Sequence, residues 1–157
     1  MSLEGALVGG GVGTLILTTG LRAAAEAGLT RIDLPFLLGT AFTENRPRAR
    51  AVGYALHLAM GLVFALMYHA AFRAVGAGLV VGTLLGLVHG LFAATTLVNV
   101  LLPLVHPRMG SSMTAADGTP RIEPPGFLML NYGVATPIAT VLAHLAYGAC
   151  VGGLATH

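Results

Sequence analysis

Six histidines stand in this sequence, and three of them, His57, His89 and His144, fall deep inside long uncharged apolar runs. An imidazole in such surroundings is costly to place and is therefore a candidate functional group. The chemistry on offer is that of a neutral nitrogen ligand. His57 and His144, facing one another across a helical bundle, would suit bis-histidine ligation of a b-type haem, with Gly53, Gly61 and Gly148 leaving room for the flat macrocycle and His89 at a similar depth. The same nitrogens would suit a transition metal, a chlorin magnesium or a proton relay. A simpler use is structural: each ring hydrogen-bonds a backbone carbonyl or one of Thr95, Thr96, Asn99, Tyr54 and Tyr147 on a neighbouring helix. Spacing does not choose among these, because no CxxCH, HExxH, paired cysteine or intramembrane carboxylate accompanies the rings.

Other candidates carry less. Gly9-Gly10-Gly11-Val12-Gly13 has the glycines of a phosphate-binding loop but lies inside an apolar run with no strand before it. Cys150, the one cysteine, reads as a small apolar residue. Ser111 and Ser112 share a polar stretch with His106 and Asp117, nominally hydrolase side chains, yet no nucleophile elbow frames them and the stretch reads as a solvated loop. Met60, Met67, Met109, Met113 and Met129 lack the regular spacing of a copper-capture series and read as packing residues. No catalytic set emerges, so an enzyme is the less expected class.

The elements that must hold the rings follow from composition. Only 9% of the 157 residues are charged, 55% are apolar, 22 are glycine, and the mean hydropathy is +0.82. A water-soluble domain carries about a quarter of its residues as charges, so this chain could not cover its own surface in water and reads as an integral membrane protein. A single cysteine excludes a disulfide scaffold, and eight arginines spread over the loops exclude a basic face that reads nucleic acid. A hydrocarbon core about 30 Å thick takes about 20 helical residues. Apolar runs of about that length, charge-free over 5–21, 51–72, 79–105 and 127–156, predict spans at about 5–27, 51–73, 78–102 and 136–156, the third closed by Pro103 and the His106-Pro107-Arg108 turn and the fourth begun near Pro137. Short interfacial helices are predicted at 33–42, with Asp33 as N-cap and Pro35 in the first turn, and at 127–134. The expected fold is all-α, a polytopic membrane four-helix bundle forming one domain over residues 1–157. At 1.5 Å per residue, His57 lies about 9 Å below the arginine-rich face, His144 at a similar depth where the repeat alignment sets the register of the fourth span, and His89 within about 5 Å of that level.

Orientation follows from charge. Arg22, Arg31, Arg46, Arg48, Arg50, Arg108 and Arg121 fall on the side of the two long loops, 28–50 and 103–126, with Arg73 alone on the other. The positive-inside rule makes those loops cytoplasmic and puts both termini on the outer side of a bacterial inner membrane. Met-Ser-Leu-Glu lacks the positive region of a leader, so the first run is expected to be retained. Val12-Gly13-Thr14-Leu15 matches Val81-Gly82-Thr83-Leu84, and His57-Leu58-Ala59-Met60-Gly61 matches His144-Leu145-Ala146-Tyr147-Gly148. These matches read as two tandem helical hairpins, with an insertion in the second long loop; chance is the alternative in so glycine-rich a chain. Small residues at four-residue spacing run along every span, most completely Gly78, Gly82, Gly86 and Gly90, a smooth face for the bundle, for another membrane subunit or for a second copy.

At the His-x3-Gly segments and the glycine-striped third span, the chain resembles small, uncharacterised four-span bacterial membrane proteins with an H-x3-G pattern in alternate helices. The likeness covers most of the spans and neither long loop. It implies the four-span fold and no activity. The function expected is that of an accessory or structural subunit of a larger bacterial membrane complex, embedded in lipid and without nucleic-acid partners. The alternatives are an electron-transfer subunit carrying haem b on His57, His144 and His89, and a small transporter or channel, the last disfavoured because no charged residue lines a span.

Overall fold

A computed structural model describes residues 2–109 and 121–157. All regular structure among them is helical: α1 (Leu3–Glu26), α2 (Leu34–Gly39), α3 (Arg46–Val75), α4 (Leu79–Val105), a short 3-10 segment Phe127–Tyr132, and α5 (Thr136–Leu154). Four of them, α1, α3, α4 and α5, are long and apolar enough to cross a membrane.

Local chemistry sets the ends of these helices. The Ser2 hydroxyl accepts from the Gly5 amide at 2.9 Å, Asp33 from Phe36 at 3.1 Å, and Asn45 from Arg48 at 3.1 Å, each satisfying an amide that a helix start leaves unpaired. Pro35, Pro47 and Pro137 sit in first turns, where a missing N–H costs nothing. Pro103 behaves otherwise. The third span is not closed there. Its residues 93–101 widen into π-helical winding, and the helix then continues through Pro103 to Val105. A proline inside an α-helix removes a donor and crowds the carbonyl four residues back, and the wider winding relieves that conflict.

The bundle is organised around α5, which lies between α1 and α4, with α3 packed on α1 and reached from α5 through Tyr147. Glycines let these backbones touch. A Cβ on Gly82 would strike the Gly148 carbonyl oxygen and one on Gly148 the Gly82 carbonyl oxygen; Gly86 faces the His144 carbonyl, and Gly5 and Gly9 face those of Leu154 and Cys150 on the other flank. The stripe offered by the third span is thus covered within the chain by α5. Between α3 and α4 the fit is loose, and the two helices meet through side chains alone. The core runs along α5, with Tyr147, Val151 and Ala155 packed against Ala6, Ala65, Tyr68 and Phe72. At the arginine-rich end α2 lies on α3, Gly39 against the Ala49 carbonyl and Gly53 against that of Pro35, and the segment before α5 is tied to residues 30–31 through Thr30 and Arg31.

Candidate functional site

Three helices each bring one histidine to the middle of the bundle. His57 on α3 crosses to α1, where its Nδ1 lies 2.8 Å from Thr18 Oγ1. The Thr18 hydroxyl donates its single hydrogen to the Thr14 carbonyl at 2.6 Å, so it meets the imidazole as an acceptor and the proton sits on His57 Nδ1. His144 on α5 donates from Nδ1 to the Thr140 carbonyl one turn earlier, at 2.7 Å, and that oxygen can only accept. In the neutral form suited to apolar surroundings, both rings are therefore Nδ1–H tautomers, assigned from the hydrogen-bond network, and Nε2 is a bare lone pair. His89 on α4 has Nδ1 3.4 Å from the Tyr68 hydroxyl, stacks on Phe64 at a centroid distance of 3.9 Å, and meets the His144 ring edge-on at 4.6 Å.

No described residue hydrogen-bonds Nε2 of His57, His89 or His144, yet none of these atoms is sealed in; the enclosed polar atoms without a partner are Thr140 Oγ1 and His69 Nδ1. The three rings share the wall of a void of about 30 Å³ with Gly61, Phe64 and Tyr147, whose hydroxyl donates to the Gly61 carbonyl at 2.5 Å. That is room for a water molecule. Toward the arginine-rich end lies a cavity of about 400 Å³, which shares His57, Met60, Leu97 and His144 with the void. Among the described residues that line it, all but these two imidazoles and Thr140 are apolar and none is charged. The widened part of α4 contributes Ala93, Leu97 and Val98 to it, and the 3-10 segment contributes Met129. Leu128 and Met129 adopt left-handed backbone at φ 54° and 59°, a conformation unfavourable for side chains with a Cβ, and it holds Met129 buried against the cavity. On the opposite half, between α3 and α4, a groove of about 340 Å³ runs along Phe64, Met67, Tyr68, Val88, His89 and Phe92.

The histidines singled out by depth thus converge on one void, but their partners differ from those the sequence suggested. Thr95, Thr96, Asn99 and Tyr54 bond none of them, and Tyr147 meets His89 only ring to ring, at 5.7 Å. The residues that orient the rings are Thr18, Thr14, Thr140 and Tyr68. Thr14 and Thr18, one turn apart on the small-residue face of α1, are the signal that was available in the sequence.

A haem does not fit this arrangement. The glycines expected to leave space for a macrocycle are covered, Gly53 by the Pro35 backbone, Gly61 by the Thr14 side chain and Gly148 by the Gly82 backbone. The void between the rings is water-sized, and among the described residues the larger cavity offers no cation to the propionates. Among the described residues no three His, Cys, Asp or Glu side chains are placed to hold a metal ion.

His106 is not solvated: it is buried under α2, its Nε2 3.1 Å from the Leu37 carbonyl and 3.3 Å from Thr40 Oγ1, with Nδ1 accepting from the Arg108 amide. Gly9 and Gly13 of the glycine run pack on α5, and Cys150 is half-buried in that helix. Ser111, Ser112, Met113 and Asp117 lie outside the described residues. In comparisons with protein-family models, curated proteins and solved structures, the chain matches none.

Proposed function

We propose that this chain is a polytopic protein of the bacterial inner membrane, two tandem hairpins with the arginine-rich loops in the cytoplasm, which binds an uncharged lipid-soluble molecule in the cavity beside His57 and His144. The observation that carries the reading is the cavity itself. At about 400 Å³ it has the size of a ligand pocket, its wall is apolar, and polar groups converge at one end. Only 22–44% of each apolar helix window is buried inside the chain, so most of the remaining surface suits lipid, and a ligand reaches the cavity from lipid where Leu101 and Val105 on its rim are exposed.

The test is extraction of the purified full chain with organic solvent and mass spectrometry of what it retains, beside an Ala93→Phe variant. Ala93 is 3% exposed and lines the cavity, so a phenyl ring there fills it. Wild type should retain a molecule enriched over bulk lipid, and the variant should lose it. Equal retention by both proteins would dispose of the proposal.

A second reading, an accessory subunit of a larger membrane complex, draws on the loose α3–α4 seam, whose apolar groove would accept a helix of another protein. With the Gly82 and Gly86 face covered by α5, that seam is the better docking face. Co-purification from native membrane that is lost in Val88→Arg supports this reading; an unchanged partner set in that variant rejects it.

A further inference from the structure

We infer that the ligand of the cavity is a hydroxylic molecule, a long-chain alcohol, phenol or hydroquinone, held by donation from its hydroxyl to the bare Nε2 of His57 or His144. This rests on the reading of the cavity as a binding site and adds the polarity of its polar end. Hydrogen-bond direction decides the class. Both Nδ1 atoms are donors, because Thr18 Oγ1 has already given its hydrogen to Thr14 and the Thr140 carbonyl has none to give. Both Nε2 atoms are left as acceptors, on imidazoles that line an apolar cavity and belong to residues only 9% and 6% exposed.

An acceptor in apolar surroundings is stabilised by a donor and gains nothing from another acceptor. Ketones, ethers, esters and quinones present only lone pairs to these nitrogens; alcohols, phenols and hydroquinones present O–H, and the Thr140 hydroxyl, a donor on the same wall, is enclosed away from the open cavity. Among the described residues the wall holds no charged side chain, which disfavours carboxylates and phosphates, whose burial without a counter-charge is costly. The hydrocarbon body of the ligand lies along Leu97, Val98 and Leu101 toward the lipid-facing rim. The water-sized void among the three imidazoles continues the polar end, and a second hydroxyl or a water there would donate to the remaining Nε2.

The experiment compares two probes of nearly equal shape, 4-octylphenol and its methyl ether, 4-octylanisole, on the full chain in nanodiscs, with bound probe read by native mass spectrometry. One hydrogen bond more or less predicts that the phenol binds about tenfold tighter than the ether. His57→Phe and His144→Phe should each reduce that preference, and the double variant should abolish it. Equal binding of phenol and ether to wild type, with both lost in Ala93→Phe, overturns the hydroxyl inference while the cavity reading stands. Binding of neither probe, or of both equally to wild type and Ala93→Phe, overturns the cavity reading and this inference with it. Nitrogen-15 NMR of histidine-labelled wild type tests the premise without a ligand: Nε2 of His57 and His144 should give unprotonated, pyridine-type resonances, and a protonated Nε2 on both rings overturns the inference.

Discussion

A histidine in an apolar interior is defined by what its first nitrogen touches, and here that touch fixes what the second nitrogen can do. Thr18→Val keeps the shape of the side chain but removes the acceptor of His57 Nδ1, leaving a buried donor unpaired. The expected loss is about 1–3 kcal/mol of stability, which Thr18→Ser should largely spare; equal melting temperatures for the Thr18→Val variant and the wild-type protein in detergent would contradict the assigned bond. His106 gives a pH prediction at the same scale. Burial holds its imidazole below the ordinary value of 6.5, the Arg108 charge acts in the same sense, and the hydrogen bond to the Leu37 carbonyl partly opposes them. The unfolded chain therefore takes up a proton at a higher pH than the folded one, so the contribution of His106 is complete above pH 6.5 and is lost as pH falls toward the lowered folded value. Melting temperature should drop on acidification through that window, and His106→Gln, which can still donate to the Leu37 carbonyl, should flatten the drop. That the three central histidines share one level of the bundle was legible from residue counting, since helical rise is constant. Their partners were not, because rotation about each helix axis depends on packing, and burial of His106 depends on α2 folding over it.

Helices in lipid gain nothing from hiding apolar surface against one another, so close backbone approach must hold the elements together. Gly148→Ala puts a methyl group into the Gly82 carbonyl, backbone against backbone, where neither side can yield cheaply; overpacking of this kind costs about 1–3 kcal/mol. Gly11→Ala is the control, because a Cβ there meets nothing within 4 Å and helix propensity alone favours alanine by up to about 1 kcal/mol. Opposite signs for the two variants in thermal unfolding are the expected outcome, and matching signs would refute the backbone contact. The four-residue glycine spacing made these smooth faces readable in the sequence, but which neighbour each one meets depends on helix order around the bundle, and spacing does not encode that. Pro103 shows a different limit. A proline ends most helices, and only the wider winding of 93–101 explains why this one does not; no residue in Ala93–Leu101 announces that winding.

At the scale of the whole molecule, charge and shape point the same way. The 400 Å³ cavity, α2 and the 3-10 segment all lie at the end where seven of the eight arginines gather, so the histidine cluster is roofed on that side. In the proposed orientation, with the arginine-rich loops in the cytoplasm, the proposed ligand would enter from the cytoplasmic leaflet. Composition carried the four apolar helices because lipid selects for uncharged length. It could not carry the cavity, which arises where α3 and α4 fail to close, a property of the packed bundle rather than of any segment. Two single-cysteine proteins in a Cys150→Ser background test the orientation. Glu44→Cys, exposed in the loop before α3, should resist a membrane-impermeant maleimide in intact spheroplasts and react after lysis. His157→Cys, exposed at the opposite end, should react before lysis. The reverse pattern would turn the arginine-rich loops outward and move the mouth of the cavity to the outer leaflet. Reaction of both before lysis would break the four-crossing topology, since the three apolar helices α3, α4 and α5 separate Glu44 from His157 and an odd number of crossings puts the two on opposite sides.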